Sequence, residues 1–324
     1  AAGMTRGARS TMKHIFIVNP MAGKTDAGGE IARQLRALPD ADAEIYTTRA
    51  PRDATKFARE YAESHADEQV RFYACGGDGT IGEVANGIVG LANASMSCYP
   101  CGSGNDFVKY YGGKDRFLNV DRLIRGTEQA VDLMRVNDRW CINAFNFGFD
   151  SVVCETMIRV KRKPLIGGKN AYTTGVIWAL LHAMRTKCRI TADGEVLPIE
   201  EILLCTVANG SHVGGSFYCA PRSADDDGLA EVCAVRPVSR ARFVTLAGAY
   251  QRGEHLDLPS FRDLVVYRRA KNLSVDFAEE TACVLDGEML YAKHFDVAVQ
   301  KHAIRFAIPA EDEKAAPKQE NNRF

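Results

Sequence analysis

The first 133 residues alternate apolar strand-like runs with helical spacings, and that alternation limits the chain to few folds. "KHIFIV" (13–18), "EIYTT" (44–48), "VRFYAC" (70–75) and "SMSCYP" (95–100) read as strands. Helical patterns fall at 25–38, at 52–64 (Ala54, Phe57, Ala58, Tyr61) and at 80–91. Strands alternating with helices predict a doubly wound α/β unit, a parallel sheet covered on both faces. Ligands of such sheets bind beyond the carboxyl ends of the strands. Three loops fall there: Asn19–Lys24, Gly76–Thr80 and Gly102–Asp106.

The texture changes near residue 133. "AVDLMRV", "RWCINAFNFGF", "KCRITAD", "EILLCTVANG", "LAEVCAV", "LVVYRRAKNLSVDF" and "HFDVAVQKHAIRFAIP" are strand-like and mostly alternating, as in antiparallel sheets. Helical patterns interrupt them near 170–185 and 239–251. The expectation is an α/β domain over 13–133 and an antiparallel β-rich, sandwich-like domain over 134–309. The polar tail 310–324 reads as disordered.

Composition narrows the function classes. The chain has 324 residues, 46% of them apolar and 25% charged, with formal net charge zero. Two domains with full cores fit that length. Zero net charge gives no reason to expect a nucleic-acid partner. Ten cysteines contain one C-x-x-C, Cys98 and Cys101, which Pro100 and the following loop place outside a redox helix or a zinc knuckle. Reduced, buried thiols are the better reading. Ala1–Gly3 read as appended to Met4, and no signal-peptide core follows. The apolar stretch 171–184 falls short of the ~20 residues needed to span a bilayer. A cytoplasmic protein is expected.

The loop "GGDGTIGE" carries the chemistry. No Walker A pattern is present, whereas Gly77, Gly79 and Gly82 match G-x-G-x-x-G. The ribose-binding acid of the dinucleotide fingerprint is missing, since Val84 to Asn105 holds no Asp or Glu. Asp78 sits where phosphate oxygens would approach. Mg²⁺ reconciles the two, because it bridges carboxylates to nucleotide phosphates, while backbone N–H groups hold the phosphates. The plainer alternative makes Asp78 a helix cap. A second glycine loop with its own acid, "GSGND", follows the next strand.

"VNPMAGK", "GGDGTIGEVANG" and "PCGSGNDF", in that order, resemble the nucleotide-binding motifs of the diacylglycerol kinase/sphingosine kinase superfamily, with the YegS-like bacterial lipid kinases the nearest group. "FNFGFD" (145–150), "VANGSHVGG" (207–215), "APRSADDDGL" (220–229) and "LDGE" (285–288) are similar to its second-domain motifs, so the resemblance covers about 13–308. It implies an NAD-kinase/lipid-kinase-like fold and an ATP- and Mg²⁺-dependent lipid kinase, with diacylglycerol the first acceptor. Phosphatidylglycerol, a sphingoid base, ceramide or NAD remain as other acceptors, and a catalytically silent nucleotide-binding module is the non-enzyme alternative.

The same resemblance sets ATP against Asn19, Pro20, Met21, Ala22 and Gly23, against Thr48, against Gly76, Gly77, Asp78, Gly79, Thr80, Ile81, Gly82 and Glu83, and against Ser103. It links Asp78, Asp106 and Asp132 to the active-site magnesium. It makes Glu288 the proton acceptor, and it assigns a structural magnesium to Asp227 with the carbonyls of Ala224 and Leu229. "PRSA" and "VGGS" depart from the family's usual pattern. Read alone, "LDGE" is also an ordinary hairpin turn, and Asp286 is a second candidate for the base role.

From Thr156 to Ala192 there is no acid, while Arg159, Lys161, Arg162, Lys163, Lys169, Arg185, Lys187 and Arg189 give +8. Flanking an apolar helix, these charges suit peripheral docking on the anionic inner face of a membrane. A solvated charged face around a core helix is the alternative. Lipid substrate and membrane surface are thus the expected partners, and a homodimer is also admitted.

Overall fold

The computed structural model describes residues 12–23, 26–161, 163, 166 and 168–311, with Lys169 by its backbone alone. Most of the polar tail, Lys24 and Arg162 lie outside the described residues. The first half is β1 (Lys13–Val18), α1 (Ala27–Leu35), β2 (Ala43–Thr47), α2 (Asp53–Ser64), β3 (Val70–Gly76), α3 (Asp78–Ile88) and β4 (Ala94–Pro100). The order β2-β1-β3-β4 is parallel throughout. β3 and β4 are buried along their whole length, while the edge strand β2 is half exposed. This is why the first two read as largely apolar runs, broken by the buried Arg71, Ser95 and Ser97, and β2 does not.

The chain reverses direction at β1, which lies between β2 and β3, so the loops after β1 and β3 open at the switch point where ligands bind. Right-handed crossovers then put α1 on one face and α2 with α3 on the other. α2 and α3 approach closely: a side chain at Gly87 would stand 2.7 Å from the carbonyl oxygen of Thr55.

Two 3₁₀ turns over 107–117 and α4 (Val120–Ile124) lead into β5 (Thr127–Val136), β6 (Arg139–Cys141), β7 (Ala144–Gly148), α5 (Phe149–Val160) and α6 (Ala171–His182). There follow β8 (Thr186–Lys187), β9 (Arg189–Ala192), β10 (Glu195–Val196), β11 (Glu201–Ile202), β12 (Leu204–Ala208), β13 (Ala230–Val235), α7 (Arg240–Gln251), β14 (Val265–Ala270), β15 (Asn272–Leu285) and β16 (Glu288–Ile308). The β-rich half is antiparallel, ordered β14-β13-β12-β7-β15-β16, and encloses a second core that includes Phe145, Phe147, Phe295 and Val232.

β16 joins the halves. Its first part pairs with β15, and its last part pairs antiparallel with β5 and, at Phe306 against Met96, parallel with β4. The nucleotide sheet and the β-rich sheet are therefore hydrogen-bonded into one.

The strand and helix pattern expected for the first half is present. The sequence reading of the second half needs one correction: "FDSVVCETMIRV" is a helix, α5, that the strand-like "NAFNFGF" just before it masked. Phe149, Val153, Thr156 and Val160 are its buried side, at helical spacing.

Candidate active site

Gly77, not Asp78, is the N-cap of α3, and no side chain caps that helix. The N–H of Thr80 already donates to the Gly77 carbonyl at 3.0 Å, so the N–H groups of Asp78 and Gly79 are the ones left at the helix end, where an anion is favoured. At Gly79 the position a side chain would take has no atom within 4 Å, so the loop stands open on that side. The two glycine loops meet backbone to backbone. A side chain at Gly102 would lie 2.4 Å from the Cα of Gly77, and Cys101 and Gly102 both donate to the carbonyl of Gly76.

The Asn19–Gly23 loop closes the third side. The Asn19 side chain donates to the hydroxyl of Thr80 and accepts from the N–H of Met21. The N–H of Thr48 donates to the carbonyl of Val18, which sets the end of β2 beside this loop. Pro20 and Met21 are exposed, whereas Ile81 is fully buried, so only its backbone is available to a ligand. Glu83 is engaged locally: its carboxylate accepts from the N–H groups of Arg52 and Ala54 and so caps α2.

Asp78 turns away from its own helix. Its Oδ1 accepts from the N–H groups of Asp106 and Phe107, at 2.7 and 3.1 Å. Oδ2 of Asp78 and Oδ2 of Asp106 lie 3.0 and 3.3 Å from the point a Gly104 side chain would occupy. Burial first, and then the Asp106 charge, pushes the Asp78 carboxyl up to about 6. Two convergent carboxylates, one of them buried, make a hard-oxygen set suited to a divalent cation that draws its other ligands from phosphate and water. Among the described residues no group of three or more His, Cys, Asp or Glu side chains could hold a metal, so a protein-only cage is not present. All ten cysteines are free.

Asp132 does not join this pair. Its carboxylate accepts from the N–H groups of Gly228 and His302, both at 2.6 Å, which ties it to the 225–229 loop and to the bulge in β16. In that loop Asp227 accepts from the N–H of Leu229 and pairs with Arg269. Both oxygens of Asp227, the acid expected to hold a structural magnesium, are thus engaged, one by the Leu229 N–H and the other by a guanidinium.

"LDGE" is a two-residue hairpin turn between β15 and β16, with φ of 48° at Asp286 and 87° at Gly287. It sends its two acids in different directions. Asp286 is buried, accepts from the N–H groups of Ile142, Asn143 and Ala144 and from the Cys141 thiol, and lines the cleft together with Asp78 and Asp106. Burial raises its pKa despite those bonds. Glu288 pairs with Arg139 at 2.5 Å and is near enough to Glu83 for its charge to help raise the Glu83 pKa, after burial.

The cleft holds about 630 Å³. Its acid end carries Asp78, Asp106 and Asp286, with Asp150 further along the wall. The rest is apolar, walled by side chains of α5, α6 and α7 such as Val153, Val176, Phe243 and Leu246. No Lys or Arg lines it among the described residues. The nearest cation shown is Lys109, which bonds Asp106 at 2.5 Å and the carbonyl of Gly215 at 2.6 Å. The N–H of Gly215 donates to Asp106 in return, so the two halves of the protein are clamped at this carboxylate.

Lys109, Asp150 and α7 were not singled out in the sequence as site elements. Lys109 follows "GSGNDF" by two residues, and that proximity was the available signal.

Comparison with known proteins gives a consistent picture. Residues 13–136 match the diacylglycerol kinase catalytic domain, and residues 143–308 match the YegS C-terminal NAD kinase beta sandwich-like domain. A diacylglycerol kinase of Bacillus subtilis (strain 168) is 30% identical over 279 residues, 84% of this chain and 88% of the relative. A Pseudomonas aeruginosa PAO1 protein named "Probable lipid kinase YegS-like" is 27% identical over 293 residues, 89% and 92% of the two chains. The crystal structure of a diacylglycerol kinase from Bacillus anthracis str. Sterne superposes with a TM-score of 0.65 over 94% of this chain and 98% of that one; at 22% identity this is likeness of fold.

Proposed function

Because the chain belongs to the family of diacylglycerol kinases and YegS-like lipid kinases, and is thus a lipid kinase, we propose that it moves the γ-phosphoryl group of ATP to a lipid hydroxyl with Mg²⁺, diacylglycerol being the first acceptor. The observation that carries the reading is the single cleft whose acid end meets the glycine loops and whose remainder is apolar. A triphosphate is held at one end of such a cleft, and acyl chains fill the other.

Phosphoryl transfer asks little covalent chemistry of a protein; it needs placed phosphates, compensated charge and a base. The N–H groups of Gly77, Asp78 and Gly79 hold phosphate oxygens at the uncapped end of α3. Asp78 and Asp106 would hold Mg²⁺, which when bound supplies positive charge against the phosphates. Glu288 would take the proton of the attacking hydroxyl after leaving the Arg139 pair that holds it off the cleft wall, and Asp286, which lines the cleft, is the other candidate. Asp286 positions the turn that carries Glu288, through its bonds to the 142–144 backbone. The apolar walls exclude water, which would otherwise compete as the acceptor.

One observation favours a second acceptor class. Asp150, with its carboxyl pushed up to about 6 by burial, and the unpartnered Oδ1 atoms of Asn143 and Asn146 are hydrogen-bond acceptors lining the cleft. Diacylglycerol has one hydroxyl donor, whereas phosphatidylglycerol or a sphingoid base brings more.

The test is incubation with γ-labelled ATP and a total lipid extract, with and without Mg²⁺. One labelled lipid comigrating with phosphatidic acid supports the diacylglycerol reading. A labelled product of another mobility transfers it to another acceptor. ATP binding with no labelled lipid leaves the binding-module reading.

A further inference from the structure

We propose that the outer face of α6, with the end of α5, is the surface on which the enzyme rests on an anionic bilayer, and that the acceptor enters the cleft beside Tyr172 and Val176. The proposal rests on the lipid-kinase reading and adds the docking element and the route of entry.

The packing of α6 is the starting point. Its inner seam is Ala171, Gly175 and Ala179, all buried, and a side chain at Gly175 would stand 2.7 Å from the carbonyl oxygen of Val153 on α5. Small residues thus set the two helices almost backbone to backbone. The outer face, which should be polar on a helix facing water, carries Ile177, Trp178 and Leu181, exposed by 55, 42 and 56%, while Tyr172, exposed by 42%, stands on the flank toward the cleft. Ile158 and Ile166 are exposed beside them in sequence. Six of the twelve large apolar side chains exposed among the described residues therefore fall within 158–181. Scattered exposed apolar residues need no explanation, but a concentration of this kind marks a contact surface.

Charge selects the occupant. The 156–192 segment contains no acid, and Lys161, Lys163 and Lys187 are exposed along it. Arg159 lies over the Trp178 ring, 5.1 Å from its centroid, so a cation and an interfacial aromatic stand together. Arg185 is paired with Glu201 and contributes less. Lys187 faces Glu201 across the β8–β11 ladder and also contributes less. Apolar side chains with Arg159 among them and exposed lysines at 161 and 163 nearby in sequence fit lipid tails beneath anionic headgroups better than they fit an apolar protein face.

Continuity with the cleft gives the route. Tyr172 and Val176, on α6 itself, line the same cavity that ends at Asp78. At twelve residues α6 is about 18 Å long, too short to cross a bilayer, so it lies in the plane of the interface.

Trp178 reports the contact directly. Its fluorescence is followed as the difference between the wild-type protein and Trp178→Phe, with vesicles of phosphatidylcholine alone or mixed with phosphatidylglycerol. The expected result is a blue shift with the mixed vesicles only. Ile177→Glu with Leu181→Glu should weaken vesicle binding by about tenfold or more, since each residue loses a buried aliphatic side chain. Lys161→Glu with Lys163→Glu should weaken it on anionic vesicles and steepen its salt dependence. Phosphorylation of vesicle-embedded diacylglycerol should fall in both variants, while a short-chain, water-dispersed diacylglycerol is phosphorylated as by wild type. An unshifted Trp178 spectrum overturns the proposal, as does equal vesicle binding by wild type and both variants. A Trp178 already blue-shifted in a vesicle-free dimer overturns it in favour of a self-association face. Loss of all lipid phosphorylation in the wild type would sink the kinase reading, and the Trp178 shift, which needs no turnover, keeps the two failures apart.

Discussion

Replacing Asp286 by asparagine separates the two acids of the "LDGE" turn. The Asp286 carboxylate accepts from three backbone N–H groups, those of Ile142, Asn143 and Ala144, at 2.8–3.0 Å, and from the Cys141 thiol at 3.2 Å. Asparagine offers one acceptor oxygen. Set against Asn143 and Ala144, it would turn its NH₂ toward the N–H of Ile142 and leave a buried donor facing a donor. Hydrogen bonds to a charged group contribute about 1.5–3 kcal/mol, and an unpaired buried donor costs about 1–3 kcal/mol. Some of that loss is offset, because burial already opposes the Asp286 charge. The expected net loss is therefore about 2–3 kcal/mol of unfolding free energy, read from the urea midpoint.

Glu288→Gln should behave in the opposite way. Its one ion pair, with Arg139, is part exposed, and such pairs contribute about 0.2–1 kcal/mol, so stability should hardly move. If Glu288 is the base, kcat falls by about 10²–10⁴-fold in single-turnover phosphorylation, with ATP affinity by calorimetry unchanged. Asp286→Asn unfolding within about 0.5 kcal/mol of wild type would refute the stapling argument, being below even one lost charged bond. Glu288→Gln retaining more than about a third of the rate would refute the base assignment, since the low end of general-base catalysis exceeds that loss.

Asp78→Asn should abolish turnover while the protein stays folded. It should also remove a pH slope: a carboxyl whose folded pKa is raised to about 6 lets the native state bind more protons, so this group's contribution to stability declines as pH rises from the usual carboxylate range through about 6. Urea midpoints of the metal-free wild type should show that decline and those of Asp78→Asn should not; parallel profiles would contradict it. Asp227→Ala should lower thermal stability through loss of the Arg269 pair, and it should end any dependence of melting on Mg²⁺; a wild-type melting curve unchanged by EDTA would leave Arg269 as the sole counterion. Lys109→Ala should raise the acceptor KM more than it lowers kcat and speed hydrogen exchange around Gly215, with partial rescue by Lys109→Arg. Unchanged exchange would mean that the Asp106–Lys109–Gly215 clamp does not hold the halves together.

The nucleotide half was legible because its signals are local. A strand buried on both faces, such as β3, is apolar except where a buried polar group finds partners, as Arg71 does in Glu128 and three carbonyls, and the loop after it must end in glycines where backbone meets backbone at Gly77 and Gly102. Hydrophobic period and glycine spacing are written within ten or twenty residues, so the succession of strands along the chain, the helices α1 to α3 and the three loops could all be read from it, while the sheet order β2-β1-β3-β4 could not. The acid-free 156–192 segment was equally visible, since charge can be counted without a fold.

What stayed hidden depends on contacts between distant residues. Asp132 carries the same carboxylate as Asp78, yet backbone N–H groups 96 and 170 residues away draw it to a different loop. Asp286 and Glu288 are two residues apart, and only the turn geometry sends one into the cleft and the other to Arg139. The clamp at Asp106 spans 109 residues, and the apolar cavity is assembled from three helices that share no motif. A sequence specifies which side chains can form strands, turns and phosphate loops, because those depend on near neighbours. Which carboxylates meet, and which face of α6 is left without a protein partner, is decided by the packing of the two halves around β16.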